Sequence, residues 1–120
     1  MARLARLCIA DQLHLVIQRA RGGEPVLADA ADNEAYLVCL REEGVASKVA
    51  IHAFAFTPTQ VRLLATPSTD SALGTMLQGA GRRFVAAYNR RHGRSGPLWD
   101  GRFHATVIEA QQHFVGCLRF

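Results

Sequence analysis

The chain has 120 residues, of which 49% are apolar and 20% are charged, a composition typical of one globular domain with a single core. Its formal net charge is +4, and Lys48 is its only lysine, so its cationic groups are almost all arginines, whose planar fork suits phosphates and base edges. No apolar run is long enough to cross a bilayer, which excludes a membrane-spanning protein at this stage.

Three cysteines, Cys8, Cys39 and Cys117, are odd in number and far apart in the sequence. This pattern predicts reduced thiols, because a disulfide framework needs paired cysteines at regular spacings. The N-terminal segment is basic and then apolar, but Asp11 interrupts it before it reaches the length of a signal-peptide core. We therefore expect a cytoplasmic protein.

The N-terminal part of the chain predicts a strand followed by a helix. Residues 13–18 form an apolar run of strand length, and Gly22-Gly23 marks a loop after it. Residues 32–43 have helical periodicity. Asp32 is the expected N-cap of this helix, and Gly44 is expected just past its end.

A β-hairpin is predicted next. Residues 49–56 and 60–66 are rich in β-branched, aromatic and other apolar side chains, and Thr57-Pro58-Thr59 supplies the turn between them. A strand over 103–109 and the beginning of a helix that reaches Phe120 are predicted at the C-terminal end.

The longest predicted helix covers about 71–92. Its expected buried face is given by apolar residues at helical spacing, namely Leu73, Met76, Leu77, Ala80, Phe84, Ala87 and Tyr88. Gly93 suits the end of this helix. Three internal glycines weaken it, each by roughly 1 kcal/mol relative to alanine.

The predicted order is β-α-β-β-α-β. This is the ferredoxin-like α+β arrangement, in which four antiparallel strands carry two helices on one face. The whole chain, 1–120, is expected to form one domain. RNA-recognition modules have the same order, so the fold alone does not decide the function.

Residues 89–103 are the most informative stretch of the chain. They contain four arginines, one histidine, three glycines and the large aromatic residues Trp99 and Phe103. Such a segment is basic, flexible and able to stack on bases, which favours a surface that binds a phosphate backbone.

This segment closely resembles the Asn-x-Arg-x-Gly-x-x-Gly-x-Leu-Trp-x-Gly-Arg-Phe run of REP-associated tyrosine transposases, single-tyrosine members of the HUH transposase superfamily. The resemblance is collinear over nearly the whole chain and includes His14, Gln18-Arg19, Pro58 and Leu63-Leu64. One departure is the exit of the first strand, Arg19-Ala20-Arg21, where the family tends to have Arg-Gly-Asn.

The resemblance implies a metal site that this chain has lost. In the family, the hairpin carries two histidines one residue apart, and these hold the Mg²⁺ or Mn²⁺ that polarises the scissile phosphate. Gln60 and Arg62 occupy these two positions here. An amide oxygen is a weak ligand and a guanidinium has no free lone pair, so we expect no bound metal and no cofactor.

The resemblance also implies a lost nucleophile. The family's tyrosine lies on the long helix, five residues before the position of Asn89, and this count leads to Phe84. Phe84 has no hydroxyl group and is equally well explained as a core residue. Tyr88, one helical turn later, is the candidate for a displaced nucleophile.

The leading hypothesis is a transposase-family domain that binds single-stranded or hairpin DNA and does not cleave it. The candidate DNA-binding residues are Arg62, Arg82, Arg83, Arg90, Arg91, Arg94, Trp99 and Arg102, with Phe103 as a second aromatic residue. For Trp99 the alternative is a cap on the core beneath the loop.

Other functional hypotheses stay open. Cleavage could persist through Tyr88 or a partner subunit, and a homodimer is compatible with the sequence. A non-catalytic RNA-binding or protein-interaction module is another alternative, which solvent-facing aromatics such as Phe54 and Phe56 would favour. A gene product without a selected role is a further alternative. Family members continue past the position of Phe120, which leaves a C-terminally shortened form open.

Overall fold

The computed structural model describes residues 8–108. The elements are β1 His14–Arg19, a 3-10 turn Arg21–Gly23, α1 Ala30–Ser47, β2 Val49–Thr57, β3 Gln60–Pro67, α2 Ala72–His92 and β4 His104–Val107. This order confirms the predicted β-α-β-β-α-β arrangement. The predicted end of the last strand at Glu109, the helix reaching Phe120, and Cys117 lie outside the described residues.

The four strands form one antiparallel sheet in the order β2-β3-β1-β4. The central strands β1 and β3 pair with Arg19 opposite Gln60 and Ile17 opposite Arg62. Ile17 also lies opposite His104 of the edge strand β4. The fold is therefore the α+β ferredoxin-like fold that the sequence predicts.

The two faces of the sheet differ in what covers them. Val16 of β1 and Val61 and Leu63 of β3 belong to the core, together with Leu40 of α1 and Leu73 of α2. Both helices thus pack on one face, which we call the helix face. Because side chains alternate along a strand, the neighbours of the β3 core residues point to the opposite face, which no helix among residues 8–108 covers and which we call the open face.

The predicted start of α1 is wrong by three residues. The carboxylate of Asp29 accepts a hydrogen bond from the backbone N–H of Ala31 at 2.8 Å, so Asp29 is the N-cap. Asp32 lies inside the first turn and is buried. Both aspartates satisfy the composition rule for a helix start, and only the tertiary contacts of Asp32 distinguish them.

The predicted end of α1 is also wrong, since the helix continues through Gly44 to Ser47. Lys48 ends it in the left-handed conformation, with φ of 59°. A Cβ added at Gly44 would lie 3.4 Å from the carbonyl oxygen of Val49. The glycine therefore permits α1 to approach β2 closely and does not terminate the helix.

The long helix α2 matches its prediction, with Ser71 at the N-cap and Gly93 ending it at φ of 62°. Gly79 lies inside this helix, where a Cβ would overlap the carboxylate of Glu43 on α1. The glycine therefore lies where the Glu43 side chain of α1 packs closely on α2.

Candidate nucleic-acid interface

The exit of β1, the hairpin turn and the loop after α2 meet at one end of the molecule, which we call the basic end because it carries Arg21, Arg90 and Arg94. The backbone N–H of Ala20 donates to the carbonyl oxygen of Thr59 at 2.8 Å, which joins the exit of β1 to the hairpin turn. The N–H of Arg21 donates to the carbonyl oxygen of Leu98 at 2.8 Å, which joins the same exit to the loop after α2. Three segments far apart in sequence therefore meet at this end.

Asn89 fixes the loop that follows α2. Its side-chain N–H donates to the carbonyl oxygen of Gly96 at 3.0 Å. Its side-chain oxygen accepts from the Arg94 guanidinium at 2.6 Å, and its backbone oxygen accepts from the N–H of Arg94 at 3.0 Å. This explains physically why the basic run begins with an asparagine, since a side chain with both donor and acceptor is needed here.

Gln60 and Arg62 lie side by side on the open face of β3. The Nε of Arg62 donates to the Oε1 of Gln60 at 3.1 Å. The amide oxygen, which is the better metal ligand of the pair, is therefore already bound by a cationic group. Within residues 8–108, no three or more His, Cys, Asp or Glu side chains are grouped so that they could hold a metal ion.

Phe84 and Tyr88 are not brought together with this pair. Phe84 is 1% exposed and belongs to the core on the helix face, with its ring centroid 4.8 Å from that of Tyr36. Tyr88 follows on the same helix, half-buried, with its ring 4.1 Å from the ring of His92. The sheet separates both residues from the side chains of Gln60 and Arg62, so neither position suits a nucleophile acting on a phosphate held there.

Trp99 and Phe103 are part of the core instead of an exposed stacking surface. The Trp99 ring lies 5.2 Å from the ring of Tyr36 and 6.1 Å from the ring of Phe84. Phe103 is 8% exposed. The cap of the core that the sequence left as the alternative for Trp99 is therefore the arrangement observed.

Two of the predicted arginines are engaged by carboxylates of α1. Arg83 makes ion pairs of 2.5 Å with Glu42 and 3.3 Å with Glu43, and these hydrogen bonds raise the pKa of its guanidinium. Arg91 lies 2.8 Å from the Oδ1 of the buried Asp32 as an ion pair. Their positive charges are therefore largely compensated within the protein.

Other members of the set are exposed and have no carboxylate partner among the described residues, namely Arg82, Arg90, Arg94 and Arg102. The sequence-based set omitted Arg21, which the fold places beside Arg94 in the lining of one cavity. The sequence did mark Arg21, because Arg19-Ala20-Arg21 departs from the family at the exit of β1. It did not show which residues of the loop after α2 lie near Arg21.

The described residues contain no helix that is both long and apolar enough to cross a membrane. Cys39 is a buried free thiol, and Cys8 is half-buried.

Residues 8–108 form an α+β domain with a ferredoxin-like fold. No protein-family model and no curated protein sequence matches the chain. Among solved structures, it is similar to a REP-associated tyrosine transposase bound to a REP hairpin. That likeness has a TM-score of 0.76 at 14% identity and covers 98% of this chain and 68% of the other.

A second similar structure is a Deinococcus radiodurans protein described as a candidate transposase. It has a TM-score of 0.68 at 16% identity, and the match covers 98% of this chain and 94% of the other. At these identities the likeness establishes a shared fold. It confirms, at the level of the fold, the resemblance to REP-associated tyrosine transposases that the sequence indicates.

Proposed function

We propose that this chain is a DNA-binding domain that recognises single-stranded or hairpin DNA and does not cleave it. The observation that carries the proposal is the hydrogen-bonded pair of Gln60 and Arg62 at the positions where the resemblance implies two metal ligands. A guanidinium cannot coordinate a cation, and its positive charge repels one.

The same guanidinium supplies charge where a metal would act. Arg62 offers a permanent positive charge and planar N–H donors, which suit a phosphate group. We infer that a phosphate binds at this position through Arg62, so that binding is retained while metal-assisted cleavage is lost. The buried position of Phe84 on the other face of the sheet agrees with this inference.

Additional support for DNA comes from the basic end of the molecule. Arg90 and Arg94 are exposed there, and Arg94 is held in place by Asn89. The similar transposase structure was determined with a REP hairpin, which makes a DNA hairpin the first ligand to test on this chain.

The alternatives receive less support. The central strands β1 and β3 contain no phenylalanine, tyrosine or tryptophan, so they lack the stacking platform of RNA-recognition modules. Phe54 and Phe56 lie on the edge strand β2, and the Phe56 ring packs 5.9 Å from the ring of Tyr36. A displaced nucleophile at Tyr88 would lie on the wrong side of the sheet.

The proposal is tested by measuring the affinity for a labelled DNA hairpin with a single-stranded flank as a function of salt. Arg62→Ala should weaken binding and reduce the log–log salt slope by about 0.7 to 0.9, the value for one phosphate contact. Arg41→Ala, an exposed arginine on α1, is the matched control and should leave the slope unchanged. Equal affinities of Arg62→Ala and the parent at every salt concentration would contradict the proposal.

A nicking assay with Mg²⁺ or Mn²⁺ tests the second half of the proposal. The parent chain should leave the hairpin intact under conditions in which it is fully bound. Strand cleavage that depends on the metal would show that a catalytic site exists elsewhere in the chain or in an assembly of chains.

A further inference from the structure

The exposed apolar side chains of the protein are concentrated on α1 and the neighbouring strand β2. Val38 and Val45 of α1 are 42% and 81% exposed, and Phe54 of β2 is 48% exposed. Among residues 8–108, Ile9 is the only other large apolar side chain that is exposed. A group of exposed apolar side chains on one side of a protein indicates an interaction surface.

Val38 and Val45 belong to a stripe of exposed residues along α1, in which successive members are three or four positions apart and therefore share one face of the helix. We call this set the α1 stripe, and it consists of Glu34, Val38, Arg41 and Val45. Tyr36 of the same helix is buried in the core. The α1 stripe therefore points away from the sheet.

The two charged members of the α1 stripe are not compensated within the described part of the chain. Among residues 8–108, neither Glu34 nor Arg41 has an ion-pair partner. The other acidic residues of α1 and its N-cap all pair with cationic side chains of α2, and they are Asp29, Asp32, Glu42 and Glu43. The charges of α1 that face α2 are therefore compensated, and those of the α1 stripe are not.

The charges of the α1 stripe are complementary to those of a second copy of the same stripe. In a contact about a two-fold axis, each residue that touches a different residue of the other copy is touched by that residue in return. We place the axis between Leu37 and Val38, close to the middle of α1, with the two helices antiparallel. Glu34 then lies opposite Arg41 of the partner subunit, and Arg41 lies opposite the partner's Glu34. Val38 lies beside the axis, where it contacts the partner subunit's Val38.

We propose that the α1 stripe is the interface of a homodimer, in which α1 packs antiparallel on α1 of a second copy of this chain. This inference goes beyond the proposed function. The apolar contact of Val38 stabilises the dimer, and the two pairs of Glu34 with Arg41 fix its orientation, because complementary charges across an interface set its register. Phe54 borders Arg41 in one groove beside the helix and enlarges the contact towards the about 1,000 Å² that a specific interface buries.

This dimer leaves the open face of each chain accessible. The α1 helix lies on the helix face, whereas Arg62 lies on the open face, on the other side of the sheet. The helix layers of the two chains therefore meet in the dimer, and the two open faces point outwards. For the same reason, loss of the dimer leaves the salt slope of hairpin binding by one chain unchanged.

Reversal of either charge tests the interface. Sedimentation velocity at about 100 µM, above the micromolar dissociation constants of modest interfaces, should show the parent as a dimer. Glu34→Arg and Arg41→Glu each place like charges opposite each other at both contacts, so each should raise the dissociation constant by about tenfold or more. The matched control is Glu24→Arg, a charge reversal at an exposed position outside α1, which should keep the parental dimer.

Exchange of the two charges provides the rescue. The double variant Glu34→Arg with Arg41→Glu has the same pairs in reverse and should return to within about threefold of the parental dissociation constant. A mixture of the two single variants should also dimerise, although neither does so alone, because both contacts of the mixed dimer join an arginine to a glutamate. Pairing in the mixture further shows that both single variants are folded.

Three results would overturn the proposal. One is a parent chain that remains monomeric at the tested concentration. Another is a parental dimer that both charge reversals leave intact, which would assign the interface to a different surface, such as the outer edge of β2. The third is a mixture of the single variants that stays monomeric, since the antiparallel pairing of Glu34 with Arg41 requires it to dimerise.

Discussion

At the scale of single residues, the side chain at position 62 decides whether a metal ion can bind there. An imidazole there could ligate a cation, whereas Arg62 cannot and instead donates to the amide of Gln60. The local backbone is an ordinary strand that pairs with β1, so the difference lies in the side chains and not in the fold.

We predict that the metal site can be created by two substitutions. Gln60→His together with Arg62→His would place two imidazoles on the open face of β3, since residues two apart point to the same side. Calorimetric titration with Mn²⁺ should show saturable heat for this variant and none for the parent. Saturable binding by the parent would contradict the interpretation of Gln60 and Arg62. A Gln60→Ala, Arg62→Ala variant controls for the loss of the original pair.

Trp99 shows how a residue in a DNA-binding motif can have a structural role. Its ring lies within 5.2 Å of the Tyr36 ring, in the core beneath the loop. We predict that Trp99→Ala lowers stability by about 3 kcal/mol, the lower end for truncating a buried aromatic residue, because Trp99 is only partly buried. In a domain of this size that corresponds to a decrease in Tm of roughly 10 °C.

Thermal unfolding of Trp99→Ala and Trp99→Phe tests this role. The phenylalanine variant keeps most of the aromatic packing and should lose much less stability. If Trp99→Ala unfolds at the parental temperature and binds DNA more weakly, the residue is a stacking surface and the structural role is wrong.

At the scale of secondary-structure elements, one buried hydrogen bond joins α1 to the central strand β1. The Tyr36 hydroxyl donates to the Oε1 of Gln18 at 2.5 Å, and both residues are buried. Burial raises the pKa of the Tyr36 hydroxyl above its ordinary value of 10.0, and the neighbouring Cys39 adds to the rise. The folded protein therefore favours the protonated hydroxyl over the phenolate.

We predict that the burial of the Tyr36 hydroxyl makes the protein sensitive to alkali. Because the pKa of Tyr36 is higher in the folded than in the unfolded state, its contribution is complete below the unfolded value of 10.0 and decreases as the pH rises above it. The expected loss is about 1.4 kcal/mol per pH unit. Urea unfolding between pH 8 and about pH 11 should show this decrease.

Tyr36→Phe is the comparison for the alkaline effect. It should be less stable at neutral pH by about 1 kcal/mol, because Gln18 loses its donor. Its stability should then decline less steeply than that of the parent above pH 10. Parallel curves for the two proteins would show that Tyr36 does not cause the alkaline sensitivity.

At the scale of the whole molecule, the arginines divide into those that hold α1 against α2 and those that face solvent. Arg91 belongs to the first group, since it pairs with the Oδ1 of Asp32, which is 3% exposed and whose Oδ2 is bound by His92. Arg90 and Arg94 belong to the second. A test of DNA binding should therefore change the second group and spare Arg91.

We predict that Arg90→Ala with Arg94→Ala reduces the log–log salt slope on single-stranded DNA by about 1.4, which corresponds to two phosphate contacts. The free energy of unfolding should change little, because both side chains are exposed. Binding titrations at several salt concentrations, with circular dichroism to confirm folding, provide the measurement. If the double variant is folded and keeps the parental salt slope, Arg90 and Arg94 do not contact the DNA.

Local patterns in the sequence determined the order of the elements. The hairpin around Pro58, the buried face of α2 and its end at Gly93 follow from side-chain periodicity and backbone preferences that act over a few residues. These interactions do not depend on distant parts of the chain, so the sequence alone was sufficient for them and for the ferredoxin-like order that they imply.

Only the tertiary structure decided which groups are available for binding. Arg91 is paired because Asp32, 59 positions earlier, lies against the end of α2, and Trp99 is in the core because Tyr36 lies beneath it. Arg21 and Glu24 enter a cavity because the loop after α2 binds the exit of β1. Burial and charge compensation arise from contacts between residues distant in sequence, and no local pattern specifies them.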